Sequence, residues 1–268
     1  MLRKNEYLFL VAGLSLADFL LALLIIPYIT YLLVDWDEEI NYSPFLILPL
    51  TTPTVSEIKM SSILTVSIAI DRLIAIQWPV FYQFRNKRHY AIGAFLTGLI
   101  WAVVDGISLF AMSEFRQRPG CAAGGCFLGE QFRYYWGVSN MILGLVAMAA
   151  TLLLIMKLRE HSKFISPMFS PEATRIQEQK KFKHANIIAM NVLLVSGVCI
   201  ILPNCLTGFG EMFGLSFHRK MGPIVSLGLV LSGVCNSFIY GMKQRDIRLT
   251  ISGFLKKNQI APYEQQAE

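Results

Sequence analysis

Ionisable side chains interrupt the long apolar stretches of this sequence. Asp18 lies in the run Leu14 to Leu20, Glu57 and Lys59 lie in a second apolar stretch, and Asp71-Arg72 closes that stretch. A charge in the hydrocarbon core of a membrane costs about 2.5–3.5 kcal/mol on insertion scales, so each one needs a partner or a function. Carboxylates at such depth can bind a cation or couple ion movement. For Asp71-Arg72 the simpler interpretation is a pair that reaches the polar interface.

The stretches that carry these residues resemble transmembrane helices. Hydrophobic residues make up 54% of the 268-residue chain and charged residues only 16%, which is far from the balance of a soluble protein. Runs of about 20 mainly apolar residues predict membrane-spanning helices. Within residues 1–242 the predicted spans are Tyr7–Val34, Pro44–Gln77, Tyr90–Met112, Phe132–Leu158, Ala185–Phe209 and Met221–Met242. The predicted fold is an all-α integral membrane helical bundle.

The basic residues predict which side of the membrane each loop occupies. Most of the 24 Lys and Arg residues lie in alternate loops and in the two terminal segments, and positively charged loops stay in the cytosol. The C-terminus is therefore expected in the cytosol.

Residues 243–268 carry apolar residues such as Ile247 and Ile251 on one helical face among basic ones, which predicts an amphipathic helix on the inner leaflet. A solvated basic tail is the alternative, and no pattern indicates a nucleic-acid partner.

Three residues outside the spans are candidates for covalent modification. Cys121 and Cys126 are the two cysteines outside the predicted spans, and their spacing is compatible with a local bridge or with two free thiols. Asn41 opens an Asn-Tyr-Ser sequence on the predicted outer side, so glycosylation is expected there. The sequence contains no metal-binding cluster, nucleophile elbow or phosphate loop, so we do not expect an enzyme.

The segment from Ile68 to Tyr82 carries a recognisable motif. Asp71-Arg72-Leu73, followed by Pro79 and Tyr82, resembles the Asp-Arg-aromatic signature and Pro-x-x-Tyr loop of rhodopsin-like (class A) G-protein-coupled receptors. Its Asp-Arg-Leu form is most similar to the nematode chemosensory receptors called serpentine receptor class sx. Further matches occur in the family's order along the chain: Asp18 in the second helix, Trp101 in the fourth, Pro203 in the sixth, and the run Asn236 to Tyr240 in the seventh.

The resemblance implies a chemosensory receptor in the plasma membrane. Such a receptor transmits the binding of an extracellular small molecule or peptide to a heterotrimeric G protein. Arg72, held by Asp71 at rest, would be released when the sixth segment swings outward and would then contact the Gα subunit. The residues implied in G-protein coupling are Asp71, Arg72, Pro79, Val80, Tyr82 and Tyr240.

The resemblance implies no cofactor apart from a possible sodium ion. The residues implied in that sodium pocket, which would couple the ligand site to the inner face, are Asp18, Ser61, Ser232 and Asn236. Ser232 and Asn236 are four residues apart, so they share a helical face, and oxygen ligands around a carboxylate suit a hard cation. Glu57 is a candidate for a second carboxylate there. Hydrogen bonding between helices without any ion is the alternative.

The sequence also departs from the family's pattern. Ile201 replaces the sixth-helix Trp and Ser237 replaces the seventh-helix Pro, so the usual relay from ligand to core is in question. Leu2 to Asn5 resembles the first inner loop, so we expect the family's first helix to be missing from this chain. The outward cavity is expected to bind ligand through Thr54, Ile58, Ile201 and Phe209. Thr54 stands where amine receptors have an Asp, so the signature of amine recognition is absent.

Two other functions are compatible with parts of the pattern. A secondary transporter would use Asp18, Glu57 and Lys59 as coupling sites, but no inverted repeat is visible in the sequence and the receptor motifs would be unexplained. A truncated receptor fragment that does not signal is the second alternative. Substrate flux in vesicles would identify the transporter, and surface expression with G-protein coupling would exclude the fragment.

Overall fold

Helices form the regular structure of the described part of the chain. The computed structural model describes residues 8–35, 42–121, 124–164, 186–214 and 224–243, and none of these residues is in a β-strand. The helices are α1 Leu8–Val34, α2 Pro44–Gln77, α3 Pro79–Phe84, α4 Lys87–Met112, α5 Glu130–Phe164, α6 Asn186–Met212 and α7 Ile224–Lys243, with a 3₁₀ turn at Gly124–Cys126. The prediction of an all-α membrane bundle is confirmed.

Five of these helices, α1, α2, α4, α5 and α6, are long and apolar enough to cross a membrane. The apolar part of α7, Ser226–Ile239, is shorter. Helix α4 begins three residues before the predicted span because the Asn86 side chain accepts a hydrogen bond from the His89 backbone N–H at 3.2 Å and caps the first turn. Residues 244–268 lie outside the described residues, so the domain boundary and the amphipathic helix stay predictions.

Helix α2 lies at the centre of the bundle, packed against α1, α4 and α5. It is buried along most of its length, whereas α1 and α4 expose rows of large apolar side chains such as Leu20 and Ile100. Lipid is the solvent for such faces in a membrane, so their exposure carries no hydrophobic penalty. We call the end where α2 begins the disulfide end and the end where α2 meets α3 the Arg72 end.

Helix α6 contains a π-helical turn, Gly197–Ile201, in which the Leu202 N–H donates to the Gly197 carbonyl. Pro203 follows directly and has no N–H to offer the Cys199 carbonyl, so an ordinary α-helical bond is lost at this point. The Cys199 carbonyl approaches the backbone of α7 so closely that a Cβ at Gly228 would collide with it. The π turn and Gly228 therefore bring α6 and α7 into direct backbone contact.

The segment between α4 and α5 folds back into the disulfide end of the bundle. Cys121 and Cys126 form a disulfide with a Cα–Cα distance of 6.1 Å, which decides between the two alternatives that the sequence left open. Inside this ring, the Gly124 N–H donates to the Tyr28 hydroxyl of α1 at 3.1 Å. Gly124 also packs against Thr51 of α2 with no room for a side chain. We call Cys121 and residues 124–129 the plug.

The plug offers a matched pair of glycines for a stability test. We expect Gly124→Ala to lower the unfolding free energy by about 1–3 kcal/mol, because its methyl group would overlap the Thr51 side chain. Gly125→Ala is the control, since nothing lies within 4 Å of a Cβ at that position. The measurement is thermal unfolding of the purified chain in detergent, and equal melting temperatures for the two variants would contradict the packing.

Candidate functional site

Asp71 and Arg72 form a buried cluster with Tyr82 at the Arg72 end. The Arg72 guanidinium donates through Nε to Asp71 Oδ2 at 3.1 Å and also pairs closely with it through Nη2. The same Nη2 donates to the Tyr82 hydroxyl at 2.9 Å, and that hydroxyl donates to Asp71 Oδ2 at 3.1 Å. The three side chains thus close a ring of hydrogen bonds, and Asp71 and Arg72 are both 4% exposed.

Helix α3 has one face against α2, which carries Tyr82, and one exposed face, which carries Val80. Pro79 starts the helix at a position that tolerates proline, and Tyr82 turns back toward α2 while Val80 is 68% exposed. Burial raises the pKa of Tyr82 to about 12, although Arg72 opposes the shift. The hydroxyl therefore stays protonated near neutral pH and can donate to Asp71. Lys87 Nζ lies 4.9 Å from the centre of the Tyr82 ring.

A second polar group joins α1 and α7 in the middle of the bundle. The Asn236 side-chain N–H donates to Asp18 Oδ2 at 3.4 Å, and Gly233, one turn earlier, lies close enough that a Cβ would meet Asp18 Cβ at 3.3 Å. The structure thus brings two of the four predicted sodium-pocket residues together. Ser61 and Ser232 are fully buried but form no hydrogen bond to another described residue.

Several oxygens of this group have no hydrogen-bond donor among the described residues. They are Asp18 Oδ1, Ser61 Oγ, Ser232 Oγ, Asn236 Oδ1 and Glu57 Oε1. Glu57 lies one turn from Ser61 on α2 and within electrostatic range of Asp18. A carboxylate with neutral oxygen donors is a donor set for a hard cation, so the residues present are compatible with the predicted sodium ion.

Lys59 belongs to a third group, which joins α2, α4 and α5 and which sequence reasoning found only in part. Its ammonium lies 3.6 Å from Asp105 Oδ2 and donates to Ser139 Oγ at 2.6 Å. The Tyr135 hydroxyl donates to Asp105 Oδ1 at 2.9 Å. Asp105 was missed, although an acid in an apolar run was the signal that identified Asp18. The side chains of Lys59 and Asp105 are 2% and 0% exposed, so the pair is fully desolvated.

The four predicted ligand-binding residues lie on two helices. Thr54 and Ile58 are buried on α2, and Ile201 of α6 packs against Gly144 of α5. Phe209, also on α6, is 44% exposed and stacks on Phe213, with 6.3 Å between ring centres. Their role in ligand binding stays a prediction.

Two further predictions fall on positions that the structure does not describe. Asn41 lies outside the described residues, so its glycosylation stays a prediction. Tyr240 lies within α7, but its side chain is not among those described, so its role in the open state is likewise untested.

Comparison with known proteins identifies the family. The family model of the serpentine type 7TM GPCR chemoreceptor Srbc matches residues 1–240, which is most of the 268-residue chain. The chain belongs to the Srbc family. The sequence had suggested class sx, another group of serpentine chemoreceptors, so the match supports the chemoreceptor prediction and assigns a different class within it.

A mammalian receptor resembles part of the Srbc chain. The Mas-related G-protein coupled receptor member X2 of Pan troglodytes is 33% identical over 104 residues, which cover 38% of this chain and 30% of that receptor. The match thus spans less than a third of the relative's length. Both comparisons identify G-protein-coupled receptors.

The Lys59–Asp105 pair makes a testable contribution to the stability of this Srbc protein. Removing one partner leaves a buried charge unpaired, so we expect Lys59→Met or Asp105→Leu alone to cost about 3–5 kcal/mol. The double variant should recover most of that loss, because neither residue of the pair then leaves an unpaired charge in the apolar interior. Thermal unfolding of the four proteins in detergent gives the coupling between the two sites.

The Lys157–Glu160 pair on α5 is the control for this cycle. Its side chains are 40% and 67% exposed, and exposed pairs contribute about 0–1 kcal/mol, so Lys157→Met should unfold almost at the wild-type temperature. A double variant as unstable as the sum of its single variants would show that Lys59 and Asp105 do not depend on each other.

Proposed function

We propose that this Srbc-family protein is a chemosensory G-protein-coupled receptor of the rhodopsin-like class in the plasma membrane, with its Arg72 end and C-terminus in the cytosol. The observation that carries the proposal is the buried ring of Asp71, Arg72 and Tyr82. A guanidinium is buried at a helix end only when a partner compensates it. Here the partners include Asp71, the preceding residue, and Tyr82 of α3. A conformational change could replace both.

The ring corresponds to a resting state in this proposal. Asp71 and Tyr82 occupy the hydrogen-bonding directions of Arg72 that a Gα subunit would otherwise use. When α6 moves outward at the Arg72 end, the guanidinium would exchange these partners for the C-terminal helix of Gα. Val80, exposed on the outer face of α3, would fill an apolar groove on the same G protein. Tyr240 would turn inward to stabilise the open state.

The α1–α7 contact supports the alignment with rhodopsin-like receptors. In that alignment α1 and α7 correspond to the second and seventh helices, and the bond between Asp18 and Asn236 joins their two motifs. Leu2 to Asn5 would then correspond to the first inner loop. We propose that a sodium ion binds among Asp18, Ser61, Ser232 and Asn236 and stabilises the resting state, since several of their oxygens have no donor within the described bundle.

The transporter alternative receives less support from the geometry. It requires Lys59 as a coupling group, yet Lys59 is held by Asp105 and Ser139. A buried ammonium committed to two partners is unsuited to repeated loading and release of an ion.

The coupling role of Arg72 can be measured without knowing the ligand. We expect Arg72→Ala to abolish basal and stimulated nucleotide exchange on a co-expressed G protein, with surface level unchanged. Tyr82→Phe should instead raise basal exchange about five- to thirtyfold, because it removes one hydrogen bond to Arg72 and one to Asp71, each with a net value of about 1 kcal/mol.

Arg88→Ala is the matched control for Arg72→Ala. Arg88 lies at the same end of the bundle and is exposed, so its loss should leave exchange near the wild-type rate. A wild-type rate of nucleotide exchange in Arg72→Ala at equal surface level would refute the coupling role. The absence of nucleotide exchange in the wild type and all the variants would refute it too.

The sodium site predicts a salt-specific stability. The melting temperature of the wild type should be higher in sodium chloride than in choline chloride at the same ionic strength, because only the smaller cation can enter the Asp18 group. Asp18→Asn should remove that difference. Asp35→Asn, at an exposed acid, should preserve it. A sodium effect that survives in Asp18→Asn would eliminate this site.

A further inference from the structure

Two buried asparagines face the interior of the bundle without any hydrogen-bond partner among the described residues. Asn140 on α5 and Asn204 on α6 are 1% and 2% exposed. Both the oxygen and the nitrogen of each carboxamide lack a partner. Buried amides in native proteins are almost always satisfied by protein, water or ligand. Two adjacent helices that each leave a whole amide unsatisfied indicate that something other than the described residues completes these bonds.

The helical register directs both side chains toward the same interior space. Residues two apart on a helix lie on nearly opposite faces. Leu202 and Leu206, two residues before and after Asn204, are exposed, and so is Ile142, two residues after Asn140. Both asparagines therefore point away from lipid and into the bundle.

Contacts between the helices put the two asparagines at similar depth. Met141, next to Asn140, packs against Gly208 of α6, and Gly144 of α5 packs against Ile201 and Cys205, on either side of Asn204. On the other flank of Asn140, Ser139 accepts a hydrogen bond from Lys59 of α2. The two amides thus border the space enclosed by α2, α5 and α6.

Helix α2 completes the outline of this space. Thr52 lies beside Gly106 of α4, and Ser56 donates to the Ala102 carbonyl of α4 at 3.0 Å. Thr54, halfway between them, is therefore turned away from α4 and toward the interior, and its buried hydroxyl has no partner among the described residues. Ile58 lies one turn deeper on the same face, between Thr54 and the level of Asn140.

We propose that Asn140, Asn204 and Thr54 are the polar contacts of the ligand site and that they select an uncharged ligand carrying an amide-like donor and acceptor at one end. A carboxamide offers both a donor and an acceptor, so a pair of them matches a group of the same kind. Two ionisable side chains of α2 lie near this depth. Lys59 is neutralised by Asp105, and Glu57 interacts with Asp18 of the α1–α7 group. Asn140, Asn204 and Thr54 themselves carry no charge, so they offer no counter-ion to a cationic or an anionic ligand. This inference rests on the proposed receptor function for its meaning, but its test measures binding alone.

The test uses four probes of one shape: benzamide, benzylamine, benzoate and ethylbenzene. Each is added at millimolar concentration to the purified 268-residue chain in lipid nanodiscs, and the shift of the melting temperature is recorded. We expect benzamide to stabilise the wild type and the other three to have little effect. Asn140→Leu and Asn204→Leu should each weaken benzamide binding about tenfold or more, since they remove both the donor and the acceptor.

Two further variants keep the result interpretable if the leucine variants fold poorly. Asn204→Asp nearly preserves the shape but adds a negative charge, so it should gain a response to benzylamine and lose the response to benzamide. Asn191→Leu is the control, because Asn191 is also an α6 asparagine with an unpartnered amide nitrogen but lies more than three turns from Asn204. It should bind benzamide like the wild type.

The outcomes separate this inference from the proposed function. A benzamide shift that is unchanged in both leucine variants, a wild type that prefers benzylamine or benzoate, or a wild type that ignores benzamide would each overturn the inference. None of these results depends on a G protein. Conversely, loss of coupling in Arg72→Ala with an intact benzamide shift would not contradict the ligand site. Failure of wild-type coupling would contradict only the receptor function.

Discussion

The absence of water in the bilayer interior is the constraint on which this structure depends. Polar side chains on α2 must find partners on neighbouring helices, and those partners fix how each helix is placed. Helix α4 is held by Asp105 and by the bond from Ser56 to the Ala102 carbonyl. Helix α5 is held by Ser139 and by the Trp136 indole, which donates to the Val55 carbonyl at 3.4 Å. Apolar contacts between helices compete with equally apolar lipid, so these directional bonds supply the specificity.

The polar groups of the bundle fall into two kinds with different consequences. Lys59, Asp105, Asp71 and Arg72 are charges that neutralise one another, and such sets hold helices together. Asp18, Asn140, Asn204 and Thr54 keep atoms that no described residue satisfies. A buried group of this second kind requires water, an ion or a ligand. The described part of the molecule therefore separates the charge pairs that hold helices together from the polar groups left without a partner, even where both kinds occur on α2.

Sequence reasoning predicted the parts of this molecule that local pattern controls. Apolar run length identified the long helices, and the fifteen residues around Arg72 indicated a chemosensory G-protein-coupled receptor and the pairing of Arg72 with Asp71. What it could not provide is the rotation of one helix against another. Asp105 and Asn140 are ordinary polar interruptions until the structure shows that one meets Lys59 and that the other has no partner among the described residues. In the same way, the position of Phe209 two turns from Ile201 does not reveal that its side chain is 44% exposed. The bridge between Cys121 and Cys126 could not be decided either, since spacing alone allows two free thiols.

The disulfide of the plug has a consequence for how the bundle can move. A cross-link stabilises a protein chiefly by limiting the unfolded chain, and closing a ring of sequence separation 5 removes little of that freedom, worth about 2 kcal/mol in the chain-entropy model. The bond ties the segment only to itself and leaves α2 and α4 without a covalent link at this end. The plug is therefore held against α2 by the close fit of Gly124 to Thr51 rather than by a tether between helices. Thermal fluctuation can move the plug away from α2 while every covalent bond stays intact.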